Sequence, residues 1–136
     1  MLPDVPRGWT PTVVPLEEQD QLARRLEEIG FAILKLNSPM RSELDFHTAI
    51  ARLLSFPDYY GKNWDAFHDS IREWALQDDA PTAILWSGWE QWLSSDLQTF
   101  LHTVAMLVEA NELPRQLVIF MPGPTSLPNI EGESTR

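Results

Sequence analysis

The chain has 136 residues, 43% of them hydrophobic and 22% charged, which is typical of one globular domain. Twenty acidic against ten basic residues give a formal net charge of −10 at pH 7, and such a surface repels nucleic-acid backbones and anionic membranes. The absence of cysteine excludes a disulfide framework, a thiolate metal site and a cysteine nucleophile. The acidic balance favours a basic protein as partner, because opposite charge speeds encounter.

The beginning of the sequence lacks the features of an export signal. Residues 1–15 read MLPDVPRGWTPTVVP, with four prolines and no apolar core segment. No uninterrupted apolar stretch in the sequence approaches the ~20 residues that a membrane span needs. We therefore expect a cytoplasmic protein.

Proline divides the chain into a central domain and two end segments. Residues 1–15 are predicted to form an extended arm, because proline fixes φ and lacks the N–H that a helix or a central strand requires. Residues 122–136 are predicted to form a flexible tail for the same reason. Residues 16–121 then form a single domain that includes an N-terminal helical extension.

Three short apolar runs inside this domain are typical of strands that are buried on both faces. They are FAILKLN, TAILWS and QLVIFM, at residues 31–37, 82–87 and 116–121. Strands that are separated by helical segments are expected to be parallel. The sequence therefore predicts an α/β fold with a small three-stranded parallel sheet packed against helices, plus an extra N-terminal helix.

Helical periodicity fills the segments between these runs. The first helix extends from Leu16 to Ile29, and Gly30 ends it. Two further helices begin at Ser42 and Asn63, both good N-cap residues. One long helix is predicted between the second and third strands.

The helix that begins at Asn63 combines an apolar face with an acidic one. Its apolar positions are Trp64, Phe67, Ile71 and Trp74. Its opposite face carries Asp65, Asp69 and Glu73 at i, i+4 and i+8, with His68 and Arg72 beside them. Like charges at this spacing destabilise an isolated helix, so the row indicates either a solvated polar face or a binding surface.

The loop before this helix favours the binding surface. Tyr59 and Tyr60, the only tyrosines of the chain, are adjacent there. Neighbouring residues in an extended loop cannot both point inward, so one of them is expected to be exposed. Tyrosine is enriched at protein interfaces, and Gly61 allows another surface to approach the backbone closely.

Residues 54–69, LSFPDYYGKNWDAFHD, strongly resemble the barstar family of intracellular ribonuclease inhibitors. The signature of that family is a Leu-Pro-Glu-Tyr-Tyr-Gly-x-Asn loop followed by a Leu-Asp-Ala-Leu helix. With lower specificity the resemblance covers residues 30–121. It includes Trp74, Trp86 and Glu109, which fall where the family has two tryptophans and a glutamate.

The resemblance implies that an acidic helix and a tyrosine loop block the active site of a small basic secreted ribonuclease, barnase-like or guanyl-preferring. Asp69 would occupy the phosphate site, and Asp65 and Glu109 would pair with flanking basic residues. Tyr59 would pack on the catalytic imidazole. The other positions implied for the contact are Tyr60, Gly61, Asn63 and Trp74.

Two further positions of the predicted partner-binding face depart from the family pattern. His68 stands where a tryptophan is common, and its titration can make binding depend on pH. Glu73 stands where the family has a small residue, so it adds charge where a partner approaches closely. We therefore expect a target that is related to the family's best-known partner but differs from it.

Other functions fit the sequence less well. Asp65, His68 and Asp69 share a face, as an acid–base or metal site requires, but a metal site needs more histidines. Phosphate-binding loops and the common hydrolase motifs are missing from the sequence, and His47 and His102 are predicted to be structural or surface residues. We expect no enzyme activity, metal or cofactor. The remaining alternative is a barstar-like immunity module for a non-ribonuclease toxin or a regulatory protein.

Overall fold

The computed structural model describes residues 11–109 and 113–123, and of Glu109 only the backbone. Within these residues, no helix is long and apolar enough to cross a membrane, and no group of His, Asp and Glu side chains is arranged to hold a metal ion. The strands are β1 (Thr12–Pro15), β2 (Ala32–Leu36), β3 (Thr82–Trp86) and β4 (Leu117–Gly123). The helices are α1 (Gln19–Glu28), α2 (Glu43–Leu54), α3 (Trp64–Leu76), α4 (Glu90–Ser95) and α5 (Leu97–Glu109).

The four strands form one sheet in the order β1-β4-β3-β2, and all of its pairs are parallel. This confirms the parallel α/β class and corrects the number of strands, which the sequence predicted as three. The additional strand, β1, lies within the predicted proline-rich arm and pairs with β4 from Thr12↔Phe120 to Pro15↔Gly123. Proline excludes a central strand but not an edge strand, whose outer N–H groups need no partner.

The two central strands of the sheet, β3 and β4, are buried on both faces, as their continuous apolar runs predicted. The run that forms β2 was expected to be buried in the same way, but β2 lies at the edge of the sheet and is only partly buried. All five residues of β3 are buried, and the four apolar ones alternate between two hydrophobic clusters. Ile84 and Trp86 belong to the larger cluster, which includes side chains from α2, α3, α4 and α5. Ala83 and Leu85 belong to the smaller cluster, which includes Leu26 of α1. The helices that follow β2 therefore pack on one face of the sheet and α1 on the other.

The helix starts agree with the predicted caps, whereas the predicted long helix is broken. The Ser42 hydroxyl accepts the Asp45 N–H at 3.1 Å, and this cap begins α2. Before α1 the chain makes a 3-10 turn over Leu16–Glu18. Asp96 is extended, with φ −154° and ψ 78°, and it separates α4 from α5. Its carboxylate accepts the Thr99 N–H at 3.3 Å, so Asp96 caps a new helix instead of continuing the old one.

The end of β4 depends on close contact between backbone and indole. Pro122 and Gly123, which the sequence assigned to the tail, continue the strand. The fully buried Trp89 donates its Nε1–H to the Pro122 carbonyl at 3.1 Å. A Cβ atom at Gly123 would lie 2.5 Å from Cζ2 of Trp89. Only glycine leaves room for this indole.

We expect Gly123→Ala to lower the free energy of unfolding by about 1–3 kcal/mol, the usual cost of overpacking a filled core. Chemical denaturation measures the change. Trp89→Phe removes the atom that the new methyl group would strike, so the double variant should lose less stability than the two single variants together. Fully additive losses would contradict this contact.

Candidate functional site

The loop between α2 and α3 is a tightly turned segment. Ser55 ends α2 in the left-handed region, with φ 57° and ψ 45°. The Phe56 N–H then donates to the Ala51 carbonyl at 2.9 Å, and the Tyr60 N–H donates to the Pro57 carbonyl at 2.9 Å. These bonds reverse the chain within a few residues and fix where the two tyrosines point.

The two tyrosines point in opposite directions, which confirms the prediction that one of them is exposed. Tyr59 is 83% exposed, whereas Tyr60 is 8% exposed. The Tyr60 hydroxyl is hydrogen-bonded to Nδ1 of His47 at 2.5 Å. Tyr60 thus anchors the loop to α2 and leaves Tyr59 as its outward-facing side chain.

His47 is a buried structural residue, which agrees with its predicted role. Its ring lies 4.5 Å from the ring of Trp64 and 5.9 Å from that of Phe46, measured between centroids. Burial lowers the pKa of His47, partly opposed by the Glu43 carboxylate, and burial raises the pKa of Tyr60. Both groups are therefore neutral near pH 7. No sequence pattern indicates their pairing, because the two residues are thirteen positions apart on different elements.

We expect the buried His47 to make stability depend on pH. The unfolded chain takes up a proton at this residue near pH 6.5, whereas the folded chain resists it. The stabilising effect is therefore complete above about pH 6.5 and is lost as the pH falls below that value.

The comparison is with His47→Asn, whose amide can still bond to the Tyr60 hydroxyl. Below about pH 6 the wild-type protein should lose up to about 1.4 kcal/mol more per pH unit than this variant. Denaturation between pH 5 and 8 measures the two profiles, and parallel profiles would contradict the prediction.

Asn63 joins the loop to the acidic helix. Its side-chain oxygen accepts the Ala66 N–H at 2.8 Å, and its side-chain nitrogen donates to the Gly61 carbonyl at 3.3 Å. A Cβ atom at Gly61 would lie 3.1 Å from this nitrogen, so any larger residue at position 61 would crowd the Asn63 amide. Asp65 follows in the first turn of α3, where the helix dipole favours a carboxylate.

The solvent-facing side of α3 carries a row of exposed carboxylates, which we call the acidic row: Asp65, Asp69 and Glu73. The Asp69 side chain is 82% exposed, and its contact with Arg72 is 3.9 Å long between two exposed groups. Exposed pairs of this kind contribute little to stability. The carboxylates of the row are thus available to cations from another molecule.

The remaining predicted site residues are not all at this surface. His68 is half-buried next to the row. Trp74 is only 7% exposed, and the Arg115 guanidinium lies 3.9 Å above its ring, so it supports the helix from inside. The side chain of Glu109, at the end of α5, lies outside the described residues, and its pairing with a partner stays a prediction.

The fold and this surface together define a small parallel α/β protein that presents an acidic helix and an outward-facing tyrosine. A family model described as Barstar (barnase inhibitor) matches residues 31–121, more than half of the chain. The chain therefore belongs to the barstar family. A search of curated proteins found no match to it.

Proposed function

We propose that this protein inhibits a small basic ribonuclease of the barnase type by covering its active site with the acidic row and Tyr59. The observation that carries the proposal is the set of three exposed carboxylates on one face of α3, directly after a loop that exposes Tyr59. Their charge lacks strong partners within α3 itself, since the Arg72 contact is long and exposed. A surface of this kind is complementary to a cationic cleft.

The inhibition follows from the charges that a ribonuclease uses to bind RNA. Its active site holds phosphate groups with basic side chains, and carboxylates can occupy the same positions. Asp69, at the centre of the row, would take the place of the phosphate, and Asp65 and Glu109 would pair with flanking cations. Tyr59 would pack on the catalytic imidazole. The chain itself performs no chemistry in this mechanism.

The buried side of the site supports the proposal because it holds the contact residues in place before binding. The Asn63 cap fixes the first turn of α3, and the Tyr60–His47 bond fixes the loop. Preorganised surfaces lose less conformational entropy on association, so more of the interaction energy appears as affinity.

The test is an inhibition assay with purified protein and a barnase-like ribonuclease, using an RNA substrate. We expect stoichiometric inhibition that is competitive with RNA. A second ribonuclease with an acidic or neutral active-site rim serves as control and should stay active. Full activity of the basic enzyme at a large excess of this protein would contradict the proposal.

Association should be fast at low salt and slow as salt rises. The Debye length is about 10 Å at 0.1 M, so added salt screens the attraction between the acidic row and a basic cleft before contact. The barnase–barstar pair is itself the established example of such steering, so this expectation is shared with the family. Stopped-flow measurement of the on-rate between about 0.05 and 0.5 M NaCl tests it. An on-rate that does not change with salt would argue against an electrostatic target site.

A further inference from the structure

An apolar groove lies outside the acidic row. It runs between β1, α4, α5 and β4 and has a volume of about 340 Å³. Among the described residues, only apolar ones line it, including Val13, Leu93, Leu97, Leu101 and Val104. Neither the loop at Tyr59 nor any residue of the acidic row contributes to it. The proposed inhibition therefore does not account for this groove.

The same face also carries apolar side chains that protrude into solvent. Leu101 is 53% exposed, Val13 43% and Leu97 40%. Leu97 and Leu101 are one helical turn apart on α5, and both border the groove. A face that has both a cavity and protruding leucines can be complementary to itself, which is what a two-fold interface requires.

The absence of charged residues along most of α5 also favours a second copy of the chain as partner. Between Leu97 and Val108 the sequence has no Asp, Glu, Lys or Arg, although the chain carries a net charge of −10. Two copies of such an acidic protein repel each other least where their facing surfaces lack charge. A basic partner, in contrast, would gain nothing from this face.

We propose that a second copy of this chain binds here, related by a two-fold axis, with Leu101 of each copy entering the groove of the other. The contact is made by side chains and not by extension of the sheet. β1 is an edge strand of four residues, and Pro11 before it and Pro15 at its end lack the N–H groups that a further strand would need.

Self-association and ribonuclease binding should respond to salt in opposite directions. Salt screens the repulsion between two acidic copies, so the dimer should be favoured at high salt. The groove and the acidic row share no residue, so each copy of the dimer keeps its acidic row.

The experiment is sedimentation equilibrium of the full chain at about 0.05 and 0.5 M NaCl, at concentrations up to about 0.1 mM. The variants are Leu101→Glu and, as a matched control, Leu44→Glu, since Leu44 is an equally protruding leucine on α2, 58% exposed. We expect the wild-type protein and Leu44→Glu to approach twice the monomer mass, more so at high salt, and Leu101→Glu to remain monomeric. Circular dichroism checks that both variants are folded.

A second measurement covers the case in which the charged variant does not fold. The chain has no cysteine, so Leu101→Cys introduces a single thiol that should form an intermolecular disulfide under mild oxidation. Leu44→Cys should form far less of it. A wild-type protein that stays monomeric at the highest concentration and salt would overturn the proposal, as would a dimer that Leu101→Glu leaves intact. If the wild-type protein is monomeric and Leu101→Glu lowers its stability, the groove is covered by another segment of the same chain, which also overturns the proposal.

Discussion

Asp69→Ala should weaken binding to the ribonuclease by several orders of magnitude while leaving the free protein as stable as before. In the free protein the Asp69 side chain is 82% exposed and contacts Arg72 only at 3.9 Å, so little folding energy is lost with it. In the proposed complex it would lie among several buried cations. Removing one member of such a set costs about 2–5 kcal/mol or more, a range partly established on the barnase–barstar pair, and acts mainly on the dissociation rate.

The control is Asp20→Ala, which removes one exposed carboxylate from α1, on the other face of the sheet. It changes the net charge equally but should reduce only the on-rate, and only slightly. Surface plasmon resonance gives both rates, and thermal unfolding of each free variant gives stability. If Asp69→Ala lost stability but kept its affinity, Asp69 would be a structural residue and the inhibitory face would lie elsewhere.

Much of the fold follows from local signals in the sequence. Ser42 and Asn63 were identified as caps because a side-chain oxygen satisfies an N–H only a few residues away, and both make that bond. The break before α5 has a local signal as well. Asp96 precedes Thr99 by three residues, a capping arrangement that the continuous apolar periodicity from Trp89 to Val108 conceals.

Contacts between distant residues explain what the sequence did not predict. The β-branched residues at the start of β1 favour a strand, but the prolines around them conceal this short signal, and pairing with β4 is what makes the segment part of the sheet. The pairing of Glu43 with His102, whose Nδ1 lies 2.5 Å from the carboxylate, joins α2 to α5 across fifty-nine positions. Neither periodicity nor composition indicates which residues meet over such a separation.

In the candidate site, too, some features follow from local sequence signals and others depend on contacts between distant residues. The exposure of Asp65, Asp69 and Glu73 follows from helical period alone, since Phe67 and Ile71 fix which side of α3 is buried. The orientation of the two tyrosines required the His47 contact, which only the structure supplies. The expected partner came from the resemblance of residues 54–69 to the barstar family, because carboxylates on a helix are by themselves compatible with many cationic partners.

The largest loss of stability is expected from Phe67→Ala. Phe67 is fully buried on α3, two positions before Asp69. Its ring centroid lies 5.3 Å from that of Trp64, 6.2 Å from that of Phe46 and 6.3 Å from that of Phe56. It therefore connects α3 to α2 and to the loop that carries the tyrosines. Truncation leaves a cavity among aromatic rings that cannot collapse together, which costs about 3–5 kcal/mol.

That cost is a large part of the total stability of a domain, so Phe67→Ala should melt about 10–20 °C below the wild-type protein. Phe67→Leu keeps most of the volume and should lose much less, which separates the cavity from any effect of changing α3 itself. Below the melting transition, Phe67→Ala should still bind the ribonuclease far better than Asp69→Ala, because the exposed carboxylates remain on a folded helix. Phe67→Ala should thus lose mainly stability, whereas Asp69→Ala should lose mainly affinity. If Phe67→Ala melted like the wild-type protein, or if it lost as much affinity as Asp69→Ala while folded, then the buried face and the binding face of α3 would not be separable.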